Sequence, residues 1–168
     1  MKIRTTIVGL IVAISAAGTV LSQPLPVCQT GELSIRQNGP GVAMGKLHYD
    51  FVLTNRGNRV CTLSGYPVAI ALDKDGQIAK QIQFRQDPAM AHEPAGLLIE
   101  ILRLRPGAHA WFEVTSSDGM GMEDFSLCGK VAHLQITPPG NGQPFPRRFP
   151  FAACTETQGI AFLLPGLP

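Results

Sequence analysis

The sequence predicts an all-β protein: an antiparallel immunoglobulin-like β-sandwich of about eight strands, preceded by a signal peptide. Three observations predict it. Residues 46–55 alternate strictly, with Leu47, Tyr49, Phe51 and Leu53 on one face and Lys46, His48, Asp50 and Thr54 on the other, as a half-buried strand requires. Further short apolar runs recur between turns rich in Gly, Pro, Asn and Asp. No stretch keeps helical periodicity for the roughly ten residues a stable helix needs.

The first residues form a leader. Lys2 and Arg4 make a basic start, Ile7 to Ile14 an apolar run, and Val20 and Ser22 stand at the −3 and −1 positions of a cleavage site before Gln23. The alternative is an uncleaved membrane anchor, since the apolar run trails on to Leu21, but Gly9, Ser15, Gly18 and Thr19 dilute it. Residues 1–22 are therefore assigned to the signal and 23–168 to a single domain with its core at 28–154. Leu25-Pro-Val-Cys28 does not suit lipidation, because Pro26 and Val27 stand where small residues are needed.

The whole chain carries 14 Lys and Arg against 12 Asp and Glu. Two of those cations, Lys2 and Arg4, belong to the leader, so the remainder is formally neutral. Nothing in the charge favours nucleic acid or an anionic membrane as partner.

Along the domain, Leu33 and Ile35 alternate within residues 32–37, and Asn38-Gly-Pro-Gly41 reads as a turn. Strand 46–55 pairs back antiparallel. Val68 to Leu72 follows, closed by Asp73-Lys-Asp-Gly76, a compact hairpin signal before Ile78 to Phe84. Leu97 to Leu104 is apolar on both faces and suggests a central strand. Arg105-Pro-Gly107 turns the chain into a strand over 108–115, and Val131 to Thr137 is another. Arg147 to Ala152 is a strand that Pro150 confines to a sheet edge. The apolar tail from Thr155 adds a short strand. Two long connections, 85–96 and 116–127, separate these elements.

All four cysteines, Cys28, Cys61, Cys128 and Cys154, follow the leader, and an even count in an exported chain reads as two disulfides. Cys28 precedes the first strand and Cys61 follows the second, so a hairpin brings them together; Cys128 and Cys154 flank the last two strands in the same way. Of three formal pairings, the expected ones are Cys28–Cys61 and Cys128–Cys154. If every connection reverses the chain, loops 56–66, 85–96 and 116–127 share one end with all four cysteines, and turns 73–76 and 105–107 share the other. The long-loop end is the expected functional face.

These residues carry a resemblance. Gly45, Tyr49, Thr54-Asn55, Cys61-Thr-Leu-Ser-Gly-Tyr-Pro67, Leu104-Arg-Pro-Gly107, Cys128 and Cys154 resemble the pattern of the bacterial exported domain called domain of unknown function 4232. The resemblance covers about 28–154, and its Cys-Thr-Leu-x-Gly-Tyr-Pro core is its specific part. It implies an extracytoplasmic immunoglobulin-like fold and brings no catalytic residues. Within the motif, Thr62, Leu63, Gly65, Tyr66 and Pro67 read as structural: Leu63 packs, Gly65 permits an unusual backbone angle, and Pro67 sets the entry to the next strand.

Catalytic chemistry finds little support. There is no Gly-x-Ser-x-Gly elbow and no cysteine expected free. His48 and His109 lie on polar or mixed strand faces, and His133 is also within a strand. Asp73 and Asp75 read as turn residues rather than calcium ligands; Asp118, Glu123 and Asp124 make an acidic loop. The sharper alternative is copper. Met90, His92, Met120 and Met122 lie in the two long connections, and thioether and imidazole ligands suit Cu(I). The preferred reading is a non-enzymatic interaction module, secreted or periplasmic and monomeric. It needs no cofactor, has no membrane span once the leader is cleaved, and binds an unidentified protein or cell-envelope component. A copper-binding protein and a cryptic hydrolase are the alternatives.

Overall fold

The computed structural model describes residues 24–86, 101–120, 126–140, 142–161, 163–166 and 168. After a short 3-10 turn at Thr30–Glu32, the strands are β1 (Leu33–Ala43), β2 (Lys46–Asn55), β3 (Cys61–Leu63), β4 (Val68–Leu72), β5 (Gln83–Gln86) and β6 (Leu102–Leu104). They continue with β7 (His109–Ser117), β8 (His133–Thr137), β9 (Arg148–Pro150), β10 (Thr157–Ile160) and β11 (Leu164–Pro165). The largest sheet has the order β1-β2-β7-β10-β5, with β11 also on β7; β4-β8-β9 and β3-β6 form two smaller sheets. The all-β prediction holds.

Alternation decides which faces meet. Tyr49, Phe51 and Leu53 of β2 and Ala110, Phe112 and Val114 of β7 are buried, and they meet Ala69, Ala71, Leu134, Ile136 and Phe149 from the β4-β8-β9 sheet in one core. Phe51 stacks on its cross-strand partner Phe112 at 5.1 Å and takes the edge of Phe149 at 5.2 Å. Tyr49 lies 5.0 Å from Phe151. Each such ring pair adds about 0.5–1.5 kcal/mol beyond the area it buries.

Several boundaries differ from the sequence reading. The first turn is not at Asn38–Gly41. Gly39 and Pro40 are absorbed as a bulge where the register shifts between Asn38 and Gly41, and pairing continues to Ala43↔Lys46. The chain then turns on Met44 and Gly45, both with positive φ (49° and 73°), the pattern of a tight two-residue hairpin. The strand expected over 78–84 makes only an isolated Leu72↔Ile78 bridge before β5 leaves for the other sheet. There β5 pairs parallel with β10, so the sandwich is not wholly antiparallel. The expected central strand is represented by β6, which pairs with β3 alone; residues 97–100 lie outside the described residues. β9 stands at a sheet edge, as Pro150 requires.

Both disulfides form as expected, Cys28–Cys61 and Cys128–Cys154. They do not share an end. Cys61 follows β2, and the Arg105–Gly107 turn joins it there, since the Gly107 N–H donates to the Asn55 carbonyl at 2.8 Å. Thr30 Oγ1 donates to the Gln143 carbonyl at 2.8 Å, which adds the 138–147 connection to this first pole. β7 runs antiparallel to β2 and ends beside Lys46, where the Asp118 N–H donates to the Gly45 carbonyl at 3.1 Å. The segment after β7, the Met44–Gly45 turn, the Asp73–Gly76 turn and Cys128–Cys154 therefore lie at the second pole. The expected grouping fails between β5 and β6: β5 runs parallel to β10 and β6 ends beside Asn55, so both run toward the first pole. That missing reversal inverts the parity of every later turn, whereas β4 still runs opposite to β2, with Ser64–Pro67 as a jog in which Gly65 has φ 91°.

Candidate functional site

The motif residues serve the first pole. The Thr62 N–H donates to the Pro26 carbonyl at 2.8 Å and the Cys28 N–H to the Thr62 carbonyl at 2.9 Å, so Cys61-Thr-Leu clamps the incoming chain beside the disulfide. Leu63 is buried in the core, and Pro67 is buried as β4 begins. Asn55 is buried and fully engaged: its Nδ2 donates to the carbonyls of Arg59 (2.8 Å) and Leu104 (2.9 Å), and its Oδ1 accepts the Gly57 N–H (2.8 Å). These contacts give the motif a structural role.

The chemistry-bearing surface lies on the outer face of the largest sheet, toward the second pole. In this half of the sheet, the side chains of β2 that point away from the core are Lys46, His48 and Asp50, and those of β7 are Glu113, Thr115 and Ser117. Register sets them opposite one another as Asp50↔Glu113, His48↔Thr115 and Lys46↔Ser117. Thr115 also faces Gly159 of β10, which faces Arg85 of β5. One row thus crosses four strands, from His48 through Thr115 and Gly159 to Arg85. A glycine in that row leaves a dip in the sheet surface.

An open cavity of about 440 Å³ occupies the dip, within the range of small-ligand sites. Lys46 and Arg85 flank it; Thr115, Ser117 and Thr157 supply hydroxyl oxygens, and Gln158 forms part of its wall. Gln158 is 1 % exposed. Its Nε2 donates to the Thr155 carbonyl at 2.6 Å, while its Oε1 is buried with no partner. No carboxylate or imidazole is among the described residues that line this cavity. Two cations among hydroxyl groups suit a carboxylate, phosphate or sulfate: guanidinium and ammonium form charge-assisted hydrogen bonds to anionic oxygens.

Farther from the pole lies an acidic pair with a histidine. His48 Nδ1 donates to Glu113 Oε1. Burial pushes the Asp50 carboxyl above its ordinary range, the neighbouring Glu113 adds to the rise, and His48 opposes it. Elsewhere, Thr54 Oγ1 and His109 Nδ1 are 2.9 Å apart, and His133 Nδ1 is buried without a partner.

Of the copper ligands suggested by sequence, Met120 is exposed at the second pole, its N–H donating to Asp118 Oδ1 at 2.8 Å. Met90, His92 and Met122 lie outside the described residues. Among the described residues, no group of three or more His, Cys, Asp or Glu is placed to hold a metal ion. Asp73 behaves as turn chemistry predicts, its Oδ1 accepting the N–H groups of Asp75 (2.9 Å) and Gln77 (2.8 Å).

Sequence reasoning placed Lys46 on the polar face of its strand but had no signal for Arg85 or Gln158. Their part in the cavity depends on the parallel β5–β10 pairing, which joins segments more than 70 residues apart. Among the described residues, no helix is long and apolar enough to cross a membrane. Comparison with curated proteins and with solved structures gives no match. The family model described as Domain of unknown function (DUF4232) matches residues 28–160, with the Cys61–Pro67 motif and three of the four cysteines well inside that span and Cys28 at its first position, and the chain belongs to that family.

Proposed function

We propose that the protein is an exported, non-enzymatic binding module, an immunoglobulin-like sandwich that holds a small anionic group in the cavity of its second pole. The leader and two disulfides support export, since disulfides persist in oxidising compartments. The observation that carries the binding reading is the convergence of Lys46 and Arg85, from β2 and β5, on a hydroxyl-lined cavity.

Titration of the purified protein with inorganic phosphate, followed by calorimetry and by amide shifts, tests it. Saturable binding is expected, with shifts at Thr115, Ser117 and Gly159. Lys46→Gln and Arg85→Gln should each weaken it several-fold, and added salt should weaken it too. Absence of saturable binding, or affinity indifferent to both substitutions, overturns the reading.

A further inference from the structure

The cavity does not stand alone at its pole. Met44 is fully exposed at the β1–β2 hairpin tip, with Val42 beside it at 66 % exposure and Met120 on the adjoining loop at 77 %. The two tips are joined through the backbone: the Asp118 N–H donates to the Gly45 carbonyl, and Asp118 Oδ1 accepts the Met120 N–H. The same two strands lead directly into the cavity. Lys46 lies two residues beyond Met44, and Ser117, opposite Lys46, lies three before Met120. Met44 also adopts a left-handed backbone (φ 49°), where Asn or Gly would relieve strain and exposure together. Folding does not favour an uncovered thioether there.

We propose that this pole docks on a lipid bilayer bearing anionic headgroups, with a headgroup phosphate between Lys46 and Arg85 while Val42, Met44 and Met120 enter the interface. The proposal rests on the anion-binding reading of the cavity and names the source of the anion. An apolar tip beside a cationic, hydroxyl-lined cavity matches a surface that presents phosphate immediately above hydrocarbon. A free anion would use the cavity and leave the tips in water. Asp118 keeps its negative charge at the tip, its Oδ1 accepting the Met120 N–H, so Lys46 and Arg85 must outweigh it for a headgroup to seat.

Co-sedimentation with vesicles of phosphatidylglycerol, or of phosphatidylcholine alone, tests the proposal, with inorganic phosphate titration run in parallel. Binding to phosphatidylglycerol vesicles is expected to be at least tenfold tighter than to phosphatidylcholine. Met44→Asn with Met120→Ser should cut vesicle binding at least fivefold and leave phosphate affinity within twofold; Asn suits the left-handed turn position and preserves the hairpin. Lys46→Gln with Arg85→Gln should remove both kinds of binding. If phosphate binds but vesicles do not, or if the methionine variant binds vesicles as the parent does, the bilayer proposal falls and the cavity reading stands. If neither phosphate nor vesicles bind, both fall.

Discussion

Asn55 Nδ2 lies 2.9 Å from the carbonyl oxygen of Leu104, and that hydrogen bond ties the end of β2 to the end of β6 in a different sheet. The same amide holds Arg59 and Gly57, so one buried side chain organises the turn that leads to Cys61. Asn55→Ala removes three hydrogen bonds from a buried site. A loss of about 3 kcal/mol is expected in urea unfolding, since each buried group left unpaired costs about 1–3 kcal/mol. A loss below about 1 kcal/mol would mean that water or a neighbour replaces the amide.

Tyr49 reaches the second pole from the core. Its phenol oxygen accepts the Ala152 N–H at 3.1 Å, two residues before Cys154. Tyr49→Phe keeps the ring against Phe151 and deletes that bond, so a loss of about 1 kcal/mol is expected. Burial lifts the phenol above its ordinary 10.0, against the opposing Ala152 hydrogen bond. A raised folded-state value gives stability that is complete below pH 10 and lost as pH climbs through the raised value. Urea midpoints should fall more steeply above pH 10 for the parent than for Tyr49→Phe; parallel curves would contradict this.

Asp50 behaves in the same sense at the acidic end. Its folded-state carboxyl titrates above the ordinary 3.8, so its contribution is most favourable below that value and declines as pH rises through the raised one. At pH 7 the ionised carboxylate lies opposite Glu113, a like-charge cross-strand pair that destabilises. Asp50→Asn should therefore raise Tm at pH 7, by on the order of one or two degrees for a half-exposed group, and give nearly the parent's Tm at pH 3. A lower Tm at pH 7 would show that the His48 attraction outweighs burial and Glu113.

The two disulfides close separate loops, with cysteines 33 and 26 residues apart. On the chain-entropy model each contributes about 3.5 kcal/mol. Replacing Cys28 and Cys61 together by Ser should speed amide exchange at Gly57, Gly107 and Ala108 and spare Asp118 and Ala132. Replacing Cys128 and Cys154 should do the reverse. Equal acceleration at both poles by either pair would argue that the domain opens as a single unit.

Local chemistry made much of the fold legible. The alternation from Lys46 to Asn55 gave β2 and its faces, Pro150 gave an edge, and the hairpin argument gave both disulfides. Direction was lost between β5 and β6, where a reversal was assumed although both strands run toward the first pole. Gly39-Pro40 was read as a turn because nothing local distinguishes a bulge from a reversal; the decision belongs to β2, which continues to pair as far as Lys46. The cavity was least legible. Arg85 and Gln158 are ordinary residues in isolation, and only the parallel pairing of two distant strands makes them neighbours of Lys46.

The chain enters the sandwich through Val27 and Cys28, at the end remote from Met44 and Arg85. Cavity and entry point thus occupy opposite poles, so a contact made at one leaves the other open.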